Sequence, residues 1–396
     1  MNKLNGKPAT PLRVKIITTS RADYGIYQPL LRALDADPRF DLGLLVTGMH
    51  LLETHGFTVK AIETDGFHIH GRVPPGISGD SPHHIATAMG IITQGFAKLF
   101  ENLKVDLLIT LGDRYEMFAA AAAAVPFGIP IAHIHGGETT KGAIDECFRH
   151  SLTKMAHIHF PCAEEYAKRI TQLGEEPWRV HNVGALAIDQ IRAFQPWSLE
   201  ELESKKGVRI DPVTLPLVVT YHPVTLEAEM TGDYTKALMT ALDAWGGPVV
   251  FTMPNADTHG SIIRDSIQQF CRTHATAQVV ETLGSQGYFS LLHHAAAMVG
   301  NSSSGILEAP SFKLPVVNIG NRQAGRMRSA NIIDVPDGDA DEILQAIRRS
   351  TSPQFNLGLQ AMRSPFGEGD TAKRIIQIFR ALPNHSTLLH KHFMTV

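Results

Sequence analysis

Residues 106–138 read DLLITLGDRYEMFAAAAAAVPFGIPIAHIHGGE, and this stretch decides the fold. Residues 106–111 form a short apolar run, 115–125 an alanine-rich helical stretch, and 129–133 a second apolar run. Near-continuous apolar strands separated by helices belong to a parallel sheet covered on both faces.

The pattern extends in both directions. Residues 14–18, 42–47 and 157–160 read as further strands, and helical patterns start near Gly25 and cover 82–103, 143–155 and 163–173. Residues 195–211 are polar and charged, with Pro196 inside and Pro212 just beyond. This is the predicted linker, with a short helix at 199–205. Alternation then restarts, with strands at 217–221, 249–253, 278–282, 298–300 and 316–319 and helices at 234–245 and 340–349. A last amphipathic helix covers 371–382, and the tail from Pro383 is expected to be loosely held. The predicted fold is α/β: two Rossmann-like doubly wound domains, 1–194 and 212–370, facing a cleft, with 371–396 packing back on the first. Ligands of such folds bind beyond the carboxyl ends of the strands.

Composition excludes several classes. The 396 residues suggest two domains at about 150 residues each. With 43% hydrophobic and 19% charged residues, the chain can bury ordinary cores. Lys plus Arg is 36 against 39 for Asp plus Glu, without the basic excess of a nucleic-acid binder. Cys147, Cys162 and Cys271 are far apart in sequence, which argues against a disulfide framework and fits a reducing cytoplasm. No apolar stretch follows a basic N-terminus, and the longest apolar run, about eight residues, is too short for a bilayer. The 20 histidines invite a metal reading.

Unusual polar clusters follow several predicted strands. After the first come Ser20, Arg21, Ala22, Asp23, Tyr24 and Gly25, a tight turn whose Arg21 could meet a phosphate. Gly112, Asp113 and Arg114 follow residue 111, where Asp113 either caps the next helix or belongs to an anion site. His133 and His135 would share a face of their strand by alternation, a metal-ligand spacing. With no cysteine nearby in sequence and no dense Asp/His set, no metal is predicted. Gly136 and Gly137 permit close backbone approach, and Glu138 then sits at the cleft mouth, where desolvation raises a carboxyl pKa. Asp145 and Arg149 are four apart, as are Glu146 and His150, so each pair can meet on a helix. Two carboxylates at one cleft allow a division into acid and base.

In the second half, Pro223 follows Tyr221 and His222 and stops a helix there. Met253, Pro254, Asn255, Ala256 and Asp257 end the next strand, and residues 283–288, with Gln286 and Tyr288, could cradle a base through backbone groups. Residues 300–308, GNSSSGILE, run from a strand through a Ser/Gly turn into a helix. Serine hydroxyls and unpaired N–H groups there suit a diphosphate, and Glu308, one turn into the helix, suits the two hydroxyls of a ribose. Arg322 and Arg326 follow the next strand.

Together, SRADYG, VTGMHL, GDRYEMF, HIHGGE, AIDECFRHSLTKMAHIHF, EEYAKRITQLGE, YHPVT, NADT, GNSSSGILEAPSF and NIGNRQAGR resemble the hydrolysing UDP-N-acetylglucosamine 2-epimerases, which have a glycosyltransferase-B fold. The resemblance runs in order over residues 14–335, and GDRYE with HIHGGE marks the hydrolysing branch. A length of 396 leaves no room for the sugar-kinase domain fused in the animal form. The resemblance implies catalytic roles for Asp113, Glu138, Asp145 and His222. It implies UDP-sugar binding by Arg21, Asn255, Ser302, Ser303, Glu308 and Arg322, with Asp23, Arg114, Gln286 and Tyr288 as further candidates. The implied reaction converts UDP-N-acetylglucosamine and water to N-acetylmannosamine and UDP, through a 2-acetamidoglucal, for sialic-type acid synthesis. The rival substrate is UDP-2,4-diacetamido-2,4,6-trideoxyglucose, and the rival activities are UDP-sugar-dependent glycosyl transfer and non-catalytic UDP-sugar sensing. No cofactor is expected, since C2 is never oxidised. The expected partners are the UDP-sugar and water, not nucleic acid or membrane. A cytoplasmic homo-oligomer, dimer or tetramer, is the expected assembly.

Overall fold

The computed structural model describes residues 10–77, 81–139, 144–223, 230–253, 260–281, 283–336 and 338–395. They divide into two compact units. One comprises the described residues through Thr139, those up to Asp189, and those from Phe366 onward; the other lies within Gln190–Pro365.

The first unit holds strands β1 Leu12–Thr18, β2 Phe40–Thr47, β3 Ile69–Val73, β4 Leu107–Leu111, β5 Ile131–Ile134 and β6 Ile158–Phe160. All pair in parallel, in the order β3-β2-β1-β4-β5-β6. The second holds β7 Leu217–Thr220, β8 Val249–Thr252, β9 Ala277–Val280, β10 Ala297–Gly300, β11 Val316–Ile319 and β12 Ile332–Val335. Their order, β12-β11-β10-β7-β8-β9, repeats the first topology when counted from β7. Strand order therefore reverses between β1 and β4, and again between β7 and β10. Those switch points are where doubly wound sheets open a crevice.

The apolar reading of the central strands holds because both faces are covered. Val14, Ile16, Ile17, Leu107, Leu108, Ile109, Ile131 and Ile134 are all buried. The helix Tyr115–Ala124 lays an alanine face against its surroundings, and Thr93 on helix Pro82–Asn102 donates to the Ala119 carbonyl at 3.2 Å. Small side chains permit that close approach. Gly300 matters for the same reason at the second switch point: its φ is +135°, and a Cβ there would collide with the Thr220 carbonyl.

The polar stretch at 195–211 is held within the second unit. It contains the helix Leu199–Lys206, with a capping box between Ser198 and Glu201. Trp197 N donates to Ser290 Oγ at 3.0 Å, and Arg209 exchanges two hydrogen bonds with Gln278. No helix among the described residues is long and apolar enough to cross a membrane.

The C-terminal helix Thr371–Arg380 buries Ala372, Ile375, Ile376 and Phe379 in the core of the first unit. Asp189 caps it, accepting from the N–H groups of Thr371 and Ala372 at 2.9 and 2.7 Å. The tail beyond Pro383 is not loosely held as expected. Buried Arg179 donates to the carbonyls of Leu388, Thr387 and His390 at 2.9, 3.3 and 2.8 Å. Lys391 reaches buried Glu175 at 2.7 Å, and Glu175 also receives His159 at 2.9 Å and Lys154 at 2.6 Å. Local polarity hid this anchoring, because its partners lie more than 200 residues upstream.

Burial alone would raise the Glu175 carboxyl, yet hydrogen bonds from His159, Lys154 and Lys391 prevail and hold it near 2. Burial keeps His159 neutral, so the two lysines supply the counter-charge. A carboxyl depressed in the fold adds stability above its ordinary range and loses it as pH falls towards the depressed value. Glu175→Gln is therefore expected to lower the melting temperature most at about pH 7. The gap to wild type should narrow steadily as pH drops from about 5 towards 2. A gap independent of pH contradicts the ionised tether.

Candidate active site

The first unit assembles its site at the ends of β4 and β5. After β4, Gly112 takes φ +75° and turns the chain, placing Asp113 ahead of helix Tyr115–Ala124. Asp113 does not cap that helix: the N-cap position is Arg114, and it has no side-chain cap bond. Asp113 instead accepts from Nη2 of Arg149, on helix Asp145–Met155. Arg149 is 2% exposed, and its Nη1 lies 3.6 Å from Oε2 of Glu138. One buried guanidinium thus spans two carboxylates.

Glu138 reaches this position through a sharp turn. β5 stops at Ile134; His135 adopts φ +63° and Gly137 φ +79°. A Cβ on Gly137 would collide with the Tyr166 carbonyl, and Arg169 donates to the Gly137 carbonyl. The turn directs Glu138 inward, leaving it 4% exposed. Its Oε1 meets His135 Nδ1 at 2.5 Å and accepts from Cys162 Sγ at 3.3 Å. These three side chains bring one ligand atom each within 4.8 Å of the others.

Two sequence expectations are corrected here. His133 and His135 do not share a face, because the positive φ of His135 breaks the alternation. His133 Nε2 bonds the Gly112 carbonyl at 2.7 Å and supports the Asp113 turn, while His135 serves Glu138. Burial holds His133 neutral, with its pKa near 3. Nor is the site free of cysteine: Cys162, 24 residues from Glu138, lies against it.

Asp145 opens its helix. Burial first, and Asp113 second, raise its carboxyl above the ordinary range, opposed by Arg114 and Arg149. The Glu146–His150 pair forms as expected, at 3.3 Å. Arg114 makes a two-pronged bond to buried Glu116, at 3.0 and 2.7 Å. Asp23 is buried beneath the first turn, accepting from Thr18, Thr19 and Ser20 in a capping box that leaves neighbouring Arg21 exposed.

The second unit builds its cluster where β7 and β10 adjoin. Buried Asn301 accepts from His222 N and donates to His222 O, both at 2.8 Å. Its own carbonyl accepts from Arg322 Nη1 at 3.1 Å and Gln323 Nε2 at 2.9 Å. Asn301 thereby locks the ends of two adjacent strands and the following arginine turn together. Burial, then Arg322, lowers His222 to about 4, so it is neutral near neutral pH. Asn301→Ala would strand two buried backbone groups of His222. It is expected to cost roughly 2–4 kcal/mol, read by chemical denaturation.

Ser302 caps the short helix Ser303–Leu307, accepting from Ser304 N at 3.3 Å. That helix ends before Glu308, which forms its C-cap rather than lying within it. Tyr288 donates to Ser304 Oγ at 2.9 Å, and Ser304 donates to Glu308 Oε2. Burial raises both the Tyr288 hydroxyl and the Glu308 carboxyl. Residues 284–293 are helical, so the N–H groups of first-turn residues 284–286 have no partner within the helix, and Gln286 bonds the Gln195 carbonyl at 2.6 Å. Asn255 lies outside the described residues.

Arg149, Asn301 and Cys162 carry no site role in the sequence reading, and His135 enters it only as half of a metal-ligand spacing with His133. Arg149 and Asn301 stood inside the quoted motifs, and the i,i+4 spacing had drawn attention to Arg149. No local signal pointed to Cys162.

The family model described as UDP-N-acetylglucosamine 2-epimerase matches residues 32–380. The GDP/UDP-N,N'-diacetylbacillosamine 2-epimerase (hydrolyzing) of Campylobacter jejuni is 38% identical over 384 residues, covering 96% of this chain and 98% of that protein. Polysialic acid biosynthesis protein P7 of Escherichia coli is 35% identical, covering 97% of each. The UDP-N-acetylglucosamine 2-epimerase of Neisseria meningitidis is 30% identical, covering 95% and 96%. Among solved structures, a UDP-GlcNAc 2-epimerase from Neisseria meningitidis bound to UDP-GlcNAc superposes with a TM-score of 0.80 at 15% identity, covering 94% of this chain and 100% of that one. At that identity the likeness speaks for the fold alone.

Proposed function

Because the chain belongs to the UDP-N-acetylglucosamine 2-epimerase family, we propose that it is a hydrolysing 2-epimerase acting on a UDP-2-acetamido sugar. The observation that carries this reading is the buried Arg149 bridging Asp113 and Glu138 at the ends of β4 and β5. The C2 proton of such a sugar is not acidic while the glycosidic bond is intact. It becomes removable as the C1–O bond breaks, so stabilisation of departing UDP must lead. We assign that work to Ser302, Ser303 and Arg322, with Glu308 on the ribose.

In the first step the C1–O electron pair leaves with UDP, and Glu138 takes the C2 proton. The C2–H pair becomes the C1–C2 double bond of a 2-acetamidoglucal. In the second, the hydroxyl of water adds to C1 while a proton returns to C2 from the opposite face; the proton left by the water passes to the vacated carboxylate, and Glu138 releases its own to solvent. Asp145, with its raised carboxyl, is the assigned proton carrier for that return, next to Asp113. Neutral His222 serves as a hydrogen-bonding group to the sugar or diphosphate. Asp23 supports the turn that carries Arg21, and Gln286 and Tyr288 shape the nucleotide end.

Two sugars fit. UDP-N-acetylglucosamine is the substrate the motifs imply. The name of the 38%-identical relative favours the 2,4-diacetamido sugar as the second reading. Both UDP-sugars, supplied in deuterated water and followed by NMR, test the proposal. UDP release should accompany a 2-epimerised free sugar carrying deuterium at C2, and the faster substrate identifies the physiological class. Product without C2 deuterium rules out the elimination. Release that requires an added acceptor favours glycosyl transfer.

A further inference from the structure

Glu138 is buried among groups that do more than orient a carboxylate. Cys162 follows β6 and is fully buried; His135 and Glu138 come from the turn after β5. Together they present a thiol, an imidazole and a carboxylate to a common point. We propose that His135, Glu138 and Cys162 form a binding site for a thiophilic divalent cation of the Zn2+ class, and that its occupancy stops turnover by withdrawing Glu138. The inhibition rests on the catalytic reading of Glu138; the binding does not.

The donor set selects the ion. A soft thiolate with imidazole suits Zn2+, whereas Mg2+ prefers oxygen ligands in octahedral geometry. The three ligand atoms lie within 4.8 Å of one another, and two of their separations can be set against zinc geometry. Around tetrahedral zinc, with bonds of about 2.0–2.3 Å, neighbouring donor atoms stand roughly 3.3–3.6 Å apart. Cys162 Sγ is already 3.3 Å from Glu138 Oε1. The His135–Glu138 contact, at 2.5 Å, must open by about 0.8 Å, within reach of a small side-chain rotation.

Charge is balanced as well. Thiolate and carboxylate together cancel the two charges of the ion, the thiol proton leaving to solvent. Arg149 approaches the other oxygen of Glu138, Oε2, and keeps Asp113 as its partner. Three protein donors leave a fourth position for water, the pattern of an open site.

The test uses the full chain, freed of metal by a chelator and titrated with Zn2+ and, as a spectroscopic probe, Co2+. Wild type should bind one Zn2+ per chain and show a thiolate-to-Co2+ charge-transfer band. Zn2+ should abolish UDP release, a chelator should restore it, and Mg2+ should do neither. Cys162→Ser, with Cys147 and Cys271 retained, should lose the band and bind Zn2+ at least about ten-fold more weakly. Should that variant fail to fold, His135→Gln is expected to weaken Zn2+ binding similarly. Absence of the band, or equal Zn2+ affinity in the variant that folds, overturns the site. An occupied site with unaltered turnover overturns the catalytic reading of Glu138, and the inhibition with it.

Discussion

Replacing Glu138 by Gln is expected to lower kcat by about 10³-fold, within the range contributed by a positioned general base. Gln keeps the size and one acceptor oxygen, so the contacts with Cys162 and His135 can persist. Its amide cannot take a proton, however, and its nitrogen adds a donor near Arg149. The nucleotide half is assigned to the second unit, so UDP affinity should change less than about three-fold. Steady-state turnover and calorimetric UDP binding separate the two effects. Turnover within about ten-fold of wild type removes Glu138 from proton transfer.

Arg149→Met should act on both stability and chemistry. The side chain is buried, and two carboxylates depend on its charge. Removing one member of a buried ionic group leaves the rest uncompensated, at a cost of about 3–5 kcal/mol. For a unit of this size that lowers the melting temperature by on the order of 10 °C. Without Arg149 the two carboxylates lose the cation that spans them, so kcat/KM should fall together with stability. Arg149→Lys restores a charge but not the fork, so it should recover stability partly while activity stays low. An unchanged melting temperature together with an unchanged kcat/KM would show that Arg149 does not hold the carboxylates.

Sequence reading reached the middle of each sheet more readily than its edges. The central strands are buried on both faces and leave a continuous apolar signature. β3, Ile69–Val73, and β12, Ile332–Val335, were not recognised; each lies at a sheet edge, where covering is partial and the sequence more polar. The same contrast governs the site. Asp113, Glu138, His222 and Ser302 were visible because they directly follow strands, and strand ends can be read from short-range apolar runs.

Their partners were not visible in the same way. Arg149 joins Asp113 across 36 residues, Cys162 joins Glu138 across 24, and Asn301 joins His222 across 79. Nothing in local periodicity encodes such pairings, because a side chain's partner depends on which helix packs over which strand end. The tail illustrates this strongly, since its polar residues read as loose until Arg179 and Glu175 are found beneath them. Sequence alone determined the doubly wound class and the chemical types gathered at the strand ends, both consequences of local burial patterns. Tertiary structure decided which carboxylate is charged, which is raised, and which histidine serves it. Those properties arise from desolvation and from charges a few ångströms away, and only the packed chain sets either one.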